Sequence, residues 1–262
     1  MGVISTNQWL SDAYNDPIKI CEKLEQFFPG ADAAEIYQHL MVNGMYQVPL
    51  KNGEKLIEHL RRNKVWSYIQ KEFSHLKDIW DGPDIPIFIF PSDSNNRQLR
   101  MESNGKSGIA FADKLFLFIS DETSKKETKA LLIHEYNHVC RLQQYEKKEK
   151  DYMLLDSIIL EGLAEQAVHE KLGEDYVASW CKYYPDEMLE KWWRTKLSPN
   201  SNTPKSDRNH HALLYGLHFQ PKMLGYSVGY YLVQKYAKEK NINIKDLMGL
   251  PSEEIAQLET KE

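Results

Sequence analysis

The stretch His134-Glu135-Tyr136-Asn137-His138 constrains this chain more than any other. Two side chains four apart on an α-helix leave the axis about 40° apart and one turn along, so both imidazoles share a face. That arrangement offers two nitrogens to one zinc ion, which favours a small tetrahedral set of N, O or S ligands. Glu135 lies at the edge of the same face, where a carboxylate can take a proton from a metal-activated water. The flanks argue against a solvated helix. Ala130-Leu131-Leu132-Ile133 is a full apolar turn, and Val139-Cys140 follows. A helix apolar all round is buried, and its polar groups then need partners.

Two histidines and a water leave one protein ligand of a catalytic zinc site to be found. Glu161-Gly162-Leu163-Ala164-Glu165 supplies candidates; the 22 residues between His138 and Glu161 are room to end one helix and return on another. Glu161 and Glu165 are four apart and share a face. One can bind zinc while the other accepts the outer N–H of a ligand histidine; spacing alone does not choose between them. Gly162 carries no side chain, so the two helices are expected to approach closely there. The expected stoichiometry is one Zn2+ per chain. A non-enzymatic, zinc-stabilised interaction or regulatory protein is the alternative. Glu135 argues against it, because a purely structural site has no use for a base and is usually closed by four protein ligands.

Composition removes other classes. The 262 residues are 42% apolar and 27% charged, ordinary for a globular protein. A net charge of −5 with mixed signs gives no pull towards nucleic acid or anionic lipid. No apolar run approaches the roughly 20 residues of a membrane span, and the N-terminus lacks the basic start and apolar core of a signal peptide. Cys21, Cys140 and Cys181 are too few and too widely spaced for a disulfide framework. A cytoplasmic protein is expected.

The pattern predicts an α+β, mainly helical chain with a small sheet, about residues 85–120, just before the active helix. Residues 1–80 read as a helical lobe: Asp16-Pro17 opens one helix, a second covers about 31–42, Asn52-Gly53 marks a turn, and Val65, Ile69, Phe73, Leu76 and Trp80 form a stripe. Residues 81–262 form the second region. Ile85–Pro91, Gly108–Ala112 and Leu115–Ile119 read as strands, the last two joined by Asp113-Lys114, with 92–98 a polar loop. Ser124 and Glu127 form a capping box, predicting the active helix over 124–144. The glutamate helix is expected over 156–172 with Asp156 as its cap. Shorter helical pieces follow near 176–183 and 187–196, then a mobile loop over 198–209, and a last helix over 223–240. His210 and His211, following that loop, are candidates to contact substrate or an oxyanion.

The longer run His134 to Leu142, then Glu161-Gly162-Leu163-Ala164-Glu165, then Gly225-Tyr226-Ser227-Val228-Gly229-Tyr230, resembles the YjaZ-type predicted zinc-dependent proteases, over roughly residues 65–240. H-E-x-x-H followed by a helix bearing E-G-x-A resembles the gluzincin metallopeptidases. That resemblance implies a zincin-like fold, peptide or protein substrates, ligands His134, His138 and Glu161, and Glu135 as general base. It also implies a sheet whose edge strand holds substrate backbone, which points to Gly108 and Ala110. Thermolysin-like enzymes carry Asp four residues after the ligand Glu; this chain has Glu165, read as the partner of a ligand histidine. Tyr226-Ser227-Val228-Gly229 resembles the Tyr-x-x-Gly of aminopeptidase-type gluzincins, which implies Tyr226 as the transition-state donor. A core Tyr bonded to backbone is the competing reading.

Overall fold

The computed structural model describes residues 1–49 and 53–258; Asn52 of the expected Asn52-Gly53 turn lies outside them. The helices are α1 (Thr6–Ala13), α2 (Pro17–Glu22), α3 (Ala33–Val42), α4 (Gly53–Arg62), α5 (Val65–Trp80), α6 (Arg97–Ser103), α7 (Lys125–Gln144), α8 (Leu154–Leu172), α9 (Asp186–Trp192), α10 (Arg208–Tyr215), α11 (Leu224–Lys240), α12 (Ile244–Leu247) and α13 (Ser252–Ile255). The strands are β1 (Gly2–Val3), β2 (Pro86–Pro91), β3 (Ser107–Ala110) and β4 (Leu115–Ile119). The fold is α+β: mainly helical, with one mixed sheet. Among the described residues no helix is long and apolar enough to cross a membrane.

The chain divides into two compact units, Met1–Glu135 and Tyr136–Glu262, and the boundary falls inside α7. It does not coincide with a lobe boundary near residue 80, because the N-terminal segments share a core with the strands. In the first unit the sheet order is β1-β2-β4-β3. β2 runs parallel to both β1 and β4, and β3 runs antiparallel to β4. Strand side chains alternate between faces. Phe88, Phe90, Phe116 and Phe118 therefore share one face, where they pack with Leu10, Ile20, Leu24, Ile36 and Leu40 of the N-terminal segments. Pro86, which has no N–H to give a ladder, stands at the first position of its strand.

Several expectations need correction. Residues 1–80 are not wholly helical, since Gly2–Val3 pairs with Pro86–Ile87; two residues carry no periodicity to read. Residues 92–98 are not all loop: α6 begins at Arg97, where the Asn96 side chain accepts the Leu99 N–H at 2.9 Å. Asp156 is not an N-cap. Helix α8 starts two residues earlier, and Asp156 reaches back from its first turn to the Met153 N–H at 2.8 Å. Residues 198–209 are tied to α8, with the N–H groups of Leu154 and Leu155 bonded to the carbonyls of Thr203 and Ser201 at 2.8 and 3.0 Å. They lead into α10, and His210 and His211 lie on that helix.

In the second unit α8 and α11 cross at a pair of glycines. A Cβ on Gly162 would run into the Gly229 backbone carbonyl, and one on Gly229 into the carbonyl of Ile158. Gly162 thus permits close approach to α11, not to the active helix as its position after Glu161 suggested. A Cβ on Gly225 would lie 2.8 Å from Leu214 Cα, so α10 also packs backbone-close on α11. These contacts fix the register of three helices, and the site depends on that register.

Candidate metal centre

Helix α7 starts at the expected capping box. Ser124 N–H donates to Glu127 Oε2 at 2.9 Å, and Glu127 N–H donates to Ser124 Oγ at 3.2 Å. The continuous helix then carries His134 and His138 one turn apart. With Glu161 of α8 they form a cluster in which each residue offers one ligand atom and all three atoms lie within 4.8 Å of one another. His138 Nε2 is 3.7 Å from Glu161 Oε2. His138 is buried; His134 and Glu161 are half-buried. Two imidazoles and one carboxylate, with a side open to solvent, fit a three-ligand zinc site that leaves a fourth position for water or substrate.

Glu135 is 7% exposed. A Cβ added to Gly108 of β3 would lie 2.5 Å from Glu135 Cγ and 2.7 Å from its Oε1. The strand backbone therefore passes directly over this carboxylate, which only glycine at 108 allows. Ala110, two residues along the same strand, is half-buried.

The two glutamates of α8 have different surroundings. Glu161 sits in the ligand cluster. Glu165 is buried and accepts the Ala178 N–H at 2.7 Å and the Cys181 thiol at 3.8 Å. Burial and the Glu165 carboxylate both push that thiol well above its ordinary range. We expect Glu161→Gln to be nearly metal-free after dialysis. Glu165→Gln should retain zinc at saturating metal with affinity weakened by at most about 10–100-fold. Competitive zinc titration of both variants checks this, and the reverse order would reassign the ligand to Glu165.

Tyr226, in the first turn of α11, is half-buried, and its hydroxyl is hydrogen-bonded to both Glu161 and Tyr215. Burial, then the Glu161 charge, raises its pKa far above the usual phenol value, so it stays a donor. The Gly162–Gly229 crossing creates this contact, because Tyr226 precedes Gly229 by one turn. His210 is not brought to the cluster. It is 1% exposed, and its ring nitrogens lie 3.1 Å from Thr203 O and 3.0 Å from Ser157 Oγ. His211 is exposed, with its ring stacked on that of Tyr215 at 6.0 Å and 8°. Tyr215 was not among the residues singled out from sequence. An aromatic four residues after His211 and just before Gly216 is the faint signal that was there.

The family described as "Predicted Zn-dependent protease (DUF2268)" matches residues 65–257. The chain belongs to this family. DUF2268 thus spans α5 to the end of α13, and so includes the whole cluster. The chain is also 39% identical over 256 residues, 97% of each protein, to the Bacillus subtilis (strain 168) protein named "Uncharacterized protein YjaZ". No solved structure matches it. Membership in DUF2268 marks the chain as a predicted zinc-dependent protease acting on peptides.

Proposed function

We propose that the chain is a gluzincin-type metallopeptidase in which His134, His138 and Glu161 hold one zinc ion and Glu135 is the general base. The observation that supports this best is the convergence of two imidazoles and a carboxylate from successive helices, with an acidic residue between the two histidines. Zinc, when bound, supplies a Lewis acid that acidifies water and polarises a carbonyl oxygen.

The residues of the chain do the rest. Glu135 takes a proton from the attacking water as its oxygen bonds to the scissile carbonyl carbon. The same carboxyl then passes that proton to the amide nitrogen as the C–N bond breaks, giving a carboxylic acid and an amine; the acid's remaining proton goes to the amine, so the products leave as a carboxylate and an ammonium. Burial against the Gly108 backbone keeps Glu135 in one position through both transfers. A hydroxyl beside Glu161 donates to the carbonyl oxygen as negative charge develops there. Gly108 and Ala110, at the free edge of the sheet, offer backbone groups to an extended peptide.

Elemental analysis and cleavage of a peptide library, with and without 1,10-phenanthroline, test the proposal. About one zinc per chain, cleavage abolished by the chelator and cleavage restored by added zinc are expected. Cleavage that persists in demonstrably metal-free protein would sink it.

A further inference from the structure

The two tyrosines beside Glu161 divide their work, and the peptidase reading just given is the premise. We infer that Tyr215 presents the hydroxyl that meets the developing oxyanion, while Tyr226 is a positioning residue that holds both the Glu161 carboxylate and Tyr215.

A phenol carries one proton. Tyr226 sits against Glu161 and Tyr215 at once. A carboxylate only accepts, so the Tyr226 proton goes to Glu161, and its oxygen is left to accept from Tyr215. Turning that proton to substrate would strip a charge-assisted bond from a metal ligand. Tyr215 has no such tie. Tyr215 is 41% exposed where Tyr226 is half-buried. Its bond to Tyr226 joins two neutral groups. A bond to an oxyanion is about twice as strong, so Tyr215 exchanges one for the other as charge develops. An interaction gained only in the transition state lowers the barrier without tightening substrate binding.

Tyr215 is also held in place. One ring face stacks on His211, and the Tyr226 ring lies 5.5 Å away at 36°. Its carbonyl accepts the Met223 N–H at 2.9 Å. Gly216, at φ +75°, ends α10 directly behind it, in a turn where any side chain would strike the Pro221 backbone. A donor fixed by its surroundings needs no reorganisation during reaction. His211, expected to touch substrate, acts here as the backing of Tyr215.

The experiment compares zinc-loaded wild type, Tyr215→Phe and Tyr226→Phe by three readouts: kcat and KM on a cleaved peptide, affinity for a phosphinic peptide that mimics the tetrahedral anion, and zinc affinity by chelator competition. Tyr215→Phe is expected to lower kcat about 10²–10³-fold with little change in KM. It should weaken phosphinic-peptide binding by a similar factor and leave zinc affinity untouched. Tyr226→Phe is expected to weaken zinc binding about 10–100-fold, as loss of a ligand's hydrogen-bond partner does. Tyr215→Phe with wild-type kcat and phosphinate affinity overturns the inference. So does Tyr226→Phe that loses kcat at saturating zinc while its zinc affinity is unchanged. A wild type that holds no zinc and cleaves no peptide defeats the peptidase reading itself, and the inference with it.

Discussion

Glu135→Gln should keep its zinc, keep its fold and lose about 10²–10⁴ of kcat. Glutamine has the shape of glutamate and cannot take a proton from water. The side chain is buried against the backbone of Gly108, so a substitution of matching shape is needed to avoid disturbing β3. Glu135 lies outside the cluster of His134, His138 and Glu161, so zinc content by elemental analysis should match wild type. The thermal midpoint should also stay within a few degrees. Steady-state hydrolysis at saturating zinc is the deciding measurement. A variant that turns over like wild type would remove Glu135 from the base role. A metal-free variant would show that the residue serves the fold rather than the chemistry. The result also separates an enzyme from a zinc-stabilised interaction protein, because only the enzyme needs a base at this position.

The second large effect concerns stability. Arg141, on α7 one turn after His138, is 1% exposed. Its guanidinium donates to the carbonyls of Met248 and Leu250 at 2.7 and 2.6 Å and to Ser252 Oγ at 3.2 Å, and it lies 3.7 Å from the centre of the Tyr145 ring. Ser252 Oγ passes the connection on to Asp156 at 2.8 Å, and Asp156 also accepts from Lys147 at 2.5 Å. Arg141 therefore fastens the segment after α12 to the helices that carry the ligands. Arg141→Ala takes the donor from the carbonyls of Met248 and Leu250 and from the Ser252 hydroxyl, and with about 1.5–3 kcal/mol for each hydrogen bond to a charged group the loss is about 3–5 kcal/mol in all. At roughly 2–4 °C per kcal/mol for a chain of this size, the melting temperature should fall by about 6–20 °C. Arg141→Lys should recover little, since an ammonium cannot reproduce the planar fork across two carbonyls and a hydroxyl. Thermal melts followed by circular dichroism check both variants. A shift of under about 2 °C for Arg141→Ala would mean the network carries no net stability.

Local chemistry explains what could be read in advance. Helix α7 was legible because its start is encoded within four residues, Ser124 to Glu127, and its face is encoded by the spacing of His134 and His138. Strands β2 and β4 were legible because Ile87-Phe88-Ile89-Phe90 and Leu115-Phe116-Leu117-Phe118-Ile119 are continuous apolar runs, as strands buried on both faces are. Strand β1 was not, because a two-residue strand exists only through the partner it pairs with. Helix α10 was not, because its polar approach through Ser201, Asn202 and Ser206 reads as loop until the bonds to Leu154 and Leu155 are known. Asp156 was misread for a related reason. An acidic residue before an apolar run suits an N-cap and the third helical position alike, and only the Met153 N–H tells which it is.

The same division holds at the candidate site. Spacing along one helix is a local property, so the sequence by itself determined that His134 and His138 share a face and that Glu135 lies at its edge. It also determined that Glu161 and Glu165 form a pair on the following helix, but not which of them meets the histidines, because a helix repeats its face every turn. That depended on how α8 sits against its neighbours, and there a backbone contact between Gly162 and Gly229 sets the register. The crossing carries Tyr226 to Glu161, and the close approach at Gly225 carries Tyr215 to Tyr226. Glu161, Tyr215 and Tyr226 lie 11 to 65 positions apart in the chain. No periodicity joins them, and only tertiary packing, which acts on surfaces rather than on order along the chain, decided that they would meet.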